Sequence, residues 1–136
     1  MMNMHFKNIS DLIYFINLQG CEIIDQGETV SITNWSKLTS EIQSTIKANK
    51  SEIINTVKRD KLAKSYGYII AIAGEIYTKS INNYSAIYIQ CVDGFWVASK
   101  ENHLLNGNSL YKEITKDYDL RIVFPKANDY LNYFRR

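Results

Sequence analysis

The chain has 136 residues, of which 46% are hydrophobic and 22% charged, values close to those of ordinary globular proteins. The length fits one domain or two small ones. A formal net charge of +2 is too small to indicate nucleic-acid binding by itself. Because the sequence has neither a secretory leader nor a stretch near the roughly 20 apolar residues of a membrane span, we expect a cytoplasmic protein with no membrane among its partners.

Aromatic residues are distributed unevenly along the chain. Four of them precede residue 65 and thirteen follow it, nine of the latter being tyrosine. Isoleucine, leucine and valine on helical spacing dominate the first part, whereas the second part has the alternating, tyrosine-rich patterns that strands favour. We therefore predict two regions, residues 1–64 and residues 65–136, which meet near Ser65-Tyr66-Gly67.

The first part begins with signals for a helix followed by a β-hairpin. Asn8 or Ser10 can cap the start of the helix, and Gly20 stands where a helix ends in the left-handed conformation. Val30 and Ile32 share one face of a strand because they are two residues apart. In chain order we predict a helix over 9–19, a strand over 21–24, a turn over 25–28 and a strand over 29–33.

Two more helices are predicted after the hairpin. Thr39 is a good N-cap with Glu41 in the first helical turn, and Asn49 with Glu52 forms a second capping-box signal. The helices should therefore span residues 39–48 and 50–64, with a break near residue 49.

Together these patterns resemble the TubC N-terminal docking domain family over about residues 6–60. The resemblance is carried by Gly20 before the hairpin and by the run Leu38-Thr39-x-Glu41-Ile42…Ile46-Lys47-x-Asn49-Lys50-x-Glu52-Ile53-Ile54. It implies a docking-like αββαα module that dimerises and offers its hairpin to a short motif of another protein. Because no synthetase domain is recognisable in residues 65–136, only the docking mode carries over.

The contact surface that the resemblance implies is the hairpin over residues 21–33. An edge strand presents unpaired main-chain groups that another chain can extend. The alternative is that the second part of the chain covers the hairpin. The candidate partner-binding residues are Glu22, Ile24, Thr29, Ser31, Thr33 and Trp35.

The second part predicts a small antiparallel sheet and a terminal helix, so the fold class is α+β. Asp93-Gly94 is the strongest turn signal and joins strands over 85–92 and 95–98. Residues 68–73 fit either a strand or a helix. For the remainder we predict a polar loop over 99–108, one or two helical turns over 109–116, a strand over 120–124 that Pro125 stops, and a helix over 126–135 with Tyr130, Leu131 and Phe134 inward.

Catalytic and metal-binding signals are weak. His103 is the candidate base of a small nucleophilic enzyme, with Cys91 or Ser99 as the group that could reach it, and the Cys91–His103 spacing matches no catalytic motif. Cys21 and Cys91, 70 positions apart, favour reduced thiols over a disulfide or a metal site. We therefore expect no enzyme, no metal and no cofactor.

A basic stripe formed by Lys47, Lys50, Lys58 and Lys61 leaves nucleic-acid binding as an alternative. An ordinary solvated helix face explains the same lysines, and we favour that interpretation. The predicted function is a non-catalytic docking or adaptor factor that binds another protein or a protein complex and can form a homodimer. The size of the chain and the lack of catalytic signals suit an accessory or inhibitor protein of a bacterial mobile element that acts on a larger complex.

Overall fold

The computed structural model describes residues 8–134, with side chains for residues 8–133. The described residues form four α-helices and seven strands in two antiparallel sheets, which confirms the predicted α+β class. Two compact units divide the chain; the first ends at Asp60 and the second begins at Lys61. The sequence prediction set the boundary after residue 64.

The first unit has the predicted order of helix, hairpin, helix and helix. Asn8 Oδ1 accepts a hydrogen bond from the Asp11 N–H at 2.9 Å, and Thr39 Oγ1 accepts one from the Ile42 N–H at 3.3 Å, so both helices begin at N-caps. The elements are α1 (Ile9–Leu18), β1 (Ile23–Asp25), β2 (Val30–Ile32), a short 3-10 helix (Trp35–Lys37), α2 (Ser40–Ala48) and α3 (Lys50–Ser65). The last residues of α3, from Lys61 onward, belong to the second unit.

Asn49 separates α2 from α3 in a different way from the one predicted. Its side-chain amide donates to the Thr45 carbonyl at 2.8 Å and so closes the end of α2. Its main-chain carbonyl accepts a hydrogen bond from the Ile53 N–H at 3.0 Å, which begins α3. Asn49 therefore stabilises both helices: its side chain caps the end of α2, and its carbonyl accepts the first hydrogen bond of α3.

A small apolar core holds the first unit together. Its buried side chains come from the three helices and from the segments that flank the hairpin and the 3-10 helix. Cys21 is one of them, and its thiol contacts the Asn34 carbonyl at 3.6 Å, so this cysteine behaves as a small core residue. The others are Leu12, Ile16, Leu38, Ile42, Ile46 and Ile53.

The second unit is an antiparallel sheet followed by a helix. The five strands lie in chain order, each paired with the next. Residues 69–72 are a strand, which resolves the open choice for 68–73, and the strand over 76–82 was not predicted. The elements are β3 (Ile69–Ile72), β4 (Ile76–Asn82), β5 (Ser85–Val92), β6 (Phe95–His103), β7 (Ser109–Asp117) and α4 (Leu120–Phe134).

The hairpin of β5 and β6 forms as predicted. Asp93 and Gly94 have φ angles of 52° and 84°, which a tight two-residue hairpin turn requires at both central positions. Strand β6 continues to His103, so the prediction of a loop over 99–108 is wrong for its first half. Cross-strand pairing with both β5 and β7 holds these polar residues in an extended conformation.

The predicted helical turns over 109–116 are wrong, because this segment is strand β7. It pairs with β6 from the Ser109–His103 pair to the Asp117–Trp96 pair. Neighbouring strands decide the conformation of such a segment more strongly than its own propensity does.

The predicted strand over 120–124 is also wrong, because α4 begins at Leu120 and contains Pro125. Asp119 Oδ1 accepts a hydrogen bond from the Arg121 N–H at 2.9 Å and caps the helix. The buried residues Val123, Phe124, Ala127 and Leu131 follow the helical period. This continuous apolar face outweighs the hydrogen bond that proline removes.

Helix α4 packs with the sheet in a core rich in aromatic rings. The ring of Phe124 lies 5.5 Å from that of Tyr66, 5.1 Å from that of Tyr68 and 5.8 Å from that of Tyr77, centre to centre. Leu131 is buried and Tyr130 is partly buried, as predicted; the side chain of Phe134 and residue 135 lie outside the described residues.

We expect Phe124→Ala to lower the free energy of unfolding by about 3–5 kcal/mol, because a large, fully buried ring leaves a cavity. Asn132→Ala changes an exposed residue of the same helix and should alter stability by no more than about 0.5 kcal/mol. Urea denaturation followed by circular dichroism measures both. Equal stability of the two variants would contradict the assigned core.

Candidate functional site

The hairpin of β1 and β2 is a two-stranded sheet that, within residues 8–134, pairs with no third strand. Its register places Ile23 opposite Ile32 and Asp25 opposite Val30. At its tip the Gln26 N–H donates to the Thr29 carbonyl at 2.9 Å. The turn between them contains Gly27 at φ 90°, a conformation that glycine adopts without strain.

Main-chain hydrogen bonds alternate along the hairpin. The Thr33 N–H donates to the Glu22 carbonyl at 2.9 Å, so the hydrogen-bonded pairs are Glu22–Thr33, Ile24–Ser31 and Gln26–Thr29. In an antiparallel ladder the intervening residues direct their N–H and C=O groups away from the partner strand. On β2 these residues are Val30 and Ile32, whose main-chain groups therefore point to the outer edge of the sheet.

The two faces of the hairpin differ in character. Ile23, Val30 and Ile32 pack against the core of the first unit. The opposite face carries the residues of the hydrogen-bonded pairs, and among them the Ile24 side chain is 43% exposed. Five of the six candidate residues share this outer face, as the alternation of a strand requires; they are Glu22, Ile24, Thr29, Ser31 and Thr33.

Trp35, the sixth candidate, lies in the 3-10 helix and packs partly buried against the first-unit core. Its carbonyl accepts a hydrogen bond from Gln43 Nε2 at 3.0 Å. The Lys47 ammonium lies 5.9 Å from the centre of its indole ring, within the range of a cation–π contact. Trp35 thus connects the segment after β2 with α2.

The four lysines of the proposed basic stripe are all exposed. Lys47 lies on α2, whereas Lys50 and Lys58 lie on α3 within the first unit. Lys61 is the first residue of the second unit. Lys61 nevertheless lies on the same helix α3 as Lys50 and Lys58, and nucleic-acid binding through these lysines stays a prediction.

Cys91 and His103 lie far apart in the sheet. Cys91 is opposite Trp96 near the turn between β5 and β6, and His103 is at the far end of β6. His103 is seven positions from Trp96 along β6, a distance of about 23 Å at about 3.3 Å per residue. This separation prevents the pair from acting as a nucleophile and its base.

A polar cluster that the sequence analysis did not identify surrounds His103. Its Nδ1 lies 3.3 Å from Glu101 Oε1 and 3.3 Å from Ser109 Oγ. A catalytic histidine contacts its nucleophile and its carboxylate through different nitrogens, so a shared Nδ1 does not make a triad. The pKa of Tyr111 is raised, mainly by partial desolvation and secondly by the nearby Glu101 carboxylate.

This cluster was missed because its residues meet only when β7 is paired with β6. The predicted helical turns over 109–116 left Ser109 and Tyr111 outside the sheet. Within residues 8–134 the structure has no group of three histidine, cysteine, aspartate or glutamate side chains arranged to hold a metal ion.

Within residues 8–134, every helix is too short or too polar to cross a bilayer.

No protein-family model matches the chain, and neither a curated protein nor a solved structure is significantly similar to it. The resemblance to the TubC docking domain therefore stays a prediction.

Thr33 fixes the open end of the hairpin, because its Oγ1 accepts a hydrogen bond from the Glu22 N–H at 2.8 Å. We expect Thr33→Val to destabilise the protein by about 1 kcal/mol, since the Glu22 N–H loses its partner without a change in side-chain shape. Thr33→Ser keeps the hydroxyl and should unfold at nearly the parent's urea concentration. Identical midpoints for the valine and serine variants would show that this hydrogen bond contributes nothing.

Proposed function

We propose that the protein is a non-catalytic docking factor whose β1–β2 hairpin binds an extended segment of another protein. The observation that supports this proposal is the outer edge of β2, where the main-chain groups of Val30 and Ile32 face away from β1. An extended peptide laid along this edge forms hydrogen bonds with both residues and becomes a third strand.

The side chains of the outer face supply the specificity in this proposal. Residues on one face of an added strand lie next to residues of the same face on β2. Ile24 offers an apolar contact in the middle of that face, with Ser31 directly opposite it and Glu22 at its end. A partner segment with an apolar side chain at its centre and a cationic one near Glu22 fits this arrangement.

Self-association is an alternative use of the same edge. Two copies of β2 can pair about a two-fold axis, which would give the homodimer that the resemblance implies. A homodimer and a foreign partner compete for the same groups, so the oligomeric state is to be measured together with partner capture.

The cellular setting is part of the proposal as well. Cys21 and Cys91 are free thiols, a state typical of the cytoplasm. We place the protein there, as an accessory or inhibitor protein of a mobile element that acts on a larger complex.

We expect Ile32→Pro and Ile24→Glu each to weaken partner capture about tenfold or more, the first by removing an outward N–H and the second by replacing the central apolar contact. The Ile32 N–H takes no part in the β1–β2 ladder, so proline there leaves the ladder's hydrogen bonds in place. Proline also removes the Ile32 side chain from the core, so the variant's thermal stability is measured together with its partner capture. The measurement is affinity capture from the native host followed by mass spectrometry, with all variants processed in parallel.

Two control variants separate docking from folding. Ser44→Glu adds a charge to an exposed position of α2 and should capture the same protein as the parent. Ser31→Pro removes a ladder hydrogen bond and should lower thermal stability. If Ile32→Pro and Ile24→Glu remain folded, elute with the parent's oligomeric state and capture its partner at the parent's level, the hairpin is not the docking site.

A further inference from the structure

Strand β7 lies at one edge of the five-stranded sheet, and within residues 8–134 only β6 pairs with it. It is nine residues long, contains no proline and has mostly exposed side chains. The main-chain groups along its free edge can therefore pair with a strand of another molecule.

The hydrogen bonds of the β6–β7 hairpin identify the groups on that edge. The Leu104 N–H donates to the Asn108 carbonyl at 2.8 Å, which makes these two residues a bonded pair beside the loop. Bonded and non-bonded pairs alternate along an antiparallel ladder, so Tyr111 and Glu113 direct their N–H and C=O groups away from β6. The register shifts after Glu113 because β7 has one extra residue there, and this bulge makes Lys116 the next residue to point outward.

Two of the charged side chains of β7 lie on the face of the sheet that packs with α4. Ala98 of β6 is buried on this face, and residues two positions apart on a strand share a face. Trp96 and Lys100 are each two positions from Ala98. Their partners on β7, Asp117 and Lys112, therefore lie on the α4 face as well, because directly opposite residues share a face.

The other two charged side chains of β7, those of Glu113 and Lys116, lie on the opposite face. Each pairs with a residue of β6 that is one position from the buried alanine. Lys116 Nζ lies 5.1 Å from the centre of the Phe95 ring, and the ring of Tyr118 stacks on Phe95 with the ring centres 4.1 Å apart. Tyr118 therefore belongs to this face, as does Tyr111, two positions before Glu113.

The charges of β7 are self-complementary when the strand is read in the opposite direction. From residue 112 to residue 117 the order is base, acid, isoleucine, threonine, base and acid. An antiparallel copy centred between Ile114 and Thr115 places an acid opposite every base, with both members of each pair on the same face. The pairs, each formed twice, are Lys112 with Asp117 and Glu113 with Lys116, and Tyr111 lies opposite Tyr118 at both ends.

The charged groups of β7 are available for such pairs. Among the side chains of residues 8–133, none forms a salt bridge with these four. Asp117 Oδ1 accepts a hydrogen bond from the Asp119 N–H at 2.9 Å, which uses one of its two carboxylate oxygens. Two bases and two acids leave β7 without net charge, and the neighbouring Lys100 and Glu101 of β6 also balance, so two copies approach without overall repulsion.

We propose that the protein forms a homodimer in which the β7 strands of two copies pair antiparallel about a two-fold axis between Ile114 and Thr115. Glu113 and Lys116 of the two copies exchange main-chain hydrogen bonds, and their side chains form ion pairs. Lysines on an edge strand ordinarily keep other strands away. In β7 the acids stand in the reversed order of the bases, so the same charges that repel an unrelated strand match a second copy.

This dimer goes beyond the docking function proposed above and differs from self-association through β2. It uses the second unit, whereas the docking hairpin belongs to the first unit. The two proposals therefore fail independently: Ile32→Pro should lower partner capture and leave the β7 dimer intact.

The test is sedimentation equilibrium of the full chain, in which we expect the parent protein to be a dimer. Glu113→Lys and Lys116→Glu should each weaken dimerisation about tenfold or more, because each replaces two attractive pairs across the axis by two repulsive ones. An equimolar mixture of the two variants should dimerise within about threefold of the parent's affinity. In that mixed dimer one pair joins the two altered residues and the other joins the two unaltered ones, and both pairs have opposite charges.

Glu75→Lys is the matched control, since it makes the same change of charge at an exposed position in the turn between β3 and β4. It should dimerise like the parent, and all variants should keep the parent's circular dichroism spectrum because the substituted side chains are exposed. A parent protein that stays monomeric at its highest soluble concentration overturns the proposal. A dimer that Glu113→Lys leaves intact, or a mixture that stays monomeric, also overturns it, because the β7 edges would then not be the interface.

Discussion

A hairpin of two strands satisfies the main-chain groups along its centre and leaves those along both edges without strand partners. In the first unit this constraint falls on a sheet whose strands are only three residues long each. One face of that sheet must stay on the core through Ile23, Val30 and Ile32. The outer edge of β2 and the face that carries Ile24 are then what the hairpin offers to a partner, and the proposed docking function follows from these two surfaces.

In the second unit, additional strands pair with the main-chain groups that a two-stranded hairpin leaves without partners. Each of its inner strands has a neighbour on both sides, and α4 closes an aromatic core around Phe124. Exposed apolar and aromatic side chains of this unit are spread over several elements, from Ile69 on β3 to Tyr133 on α4.

The sequence predicted elements whose signals are local. Asn8, Thr39 and the Asp93-Gly94 turn act within a few residues of themselves, and the helices and hairpins that they delimit are confirmed. Strand β7 and the start of α4 were predicted wrongly because distant partners decide them: β6 holds residues 109–117 extended, and a buried face carries the helix through Pro125. For the candidate site, the resemblance pointed to the hairpin, and the β1–β2 register then placed five of the six candidate residues on one face. The Glu101–His103–Ser109 cluster could not be predicted, since its members meet only through the correct β6–β7 register.

Amide hydrogen exchange of the isolated protein, measured residue by residue with NMR, tests the central claim most directly. The claim is that the main-chain N–H and C=O groups of Val30 and Ile32 form no strand pairing in the isolated protein and can pair with a partner's strand. The account predicts fast exchange of these two amides beside slow exchange of those of Gln26 and Thr33, which are bonded within the hairpin. Addition of the captured partner should then slow Val30 and Ile32 selectively. Slow exchange of both amides in the isolated monomer would contradict the account, because it would mean that the edge is already satisfied.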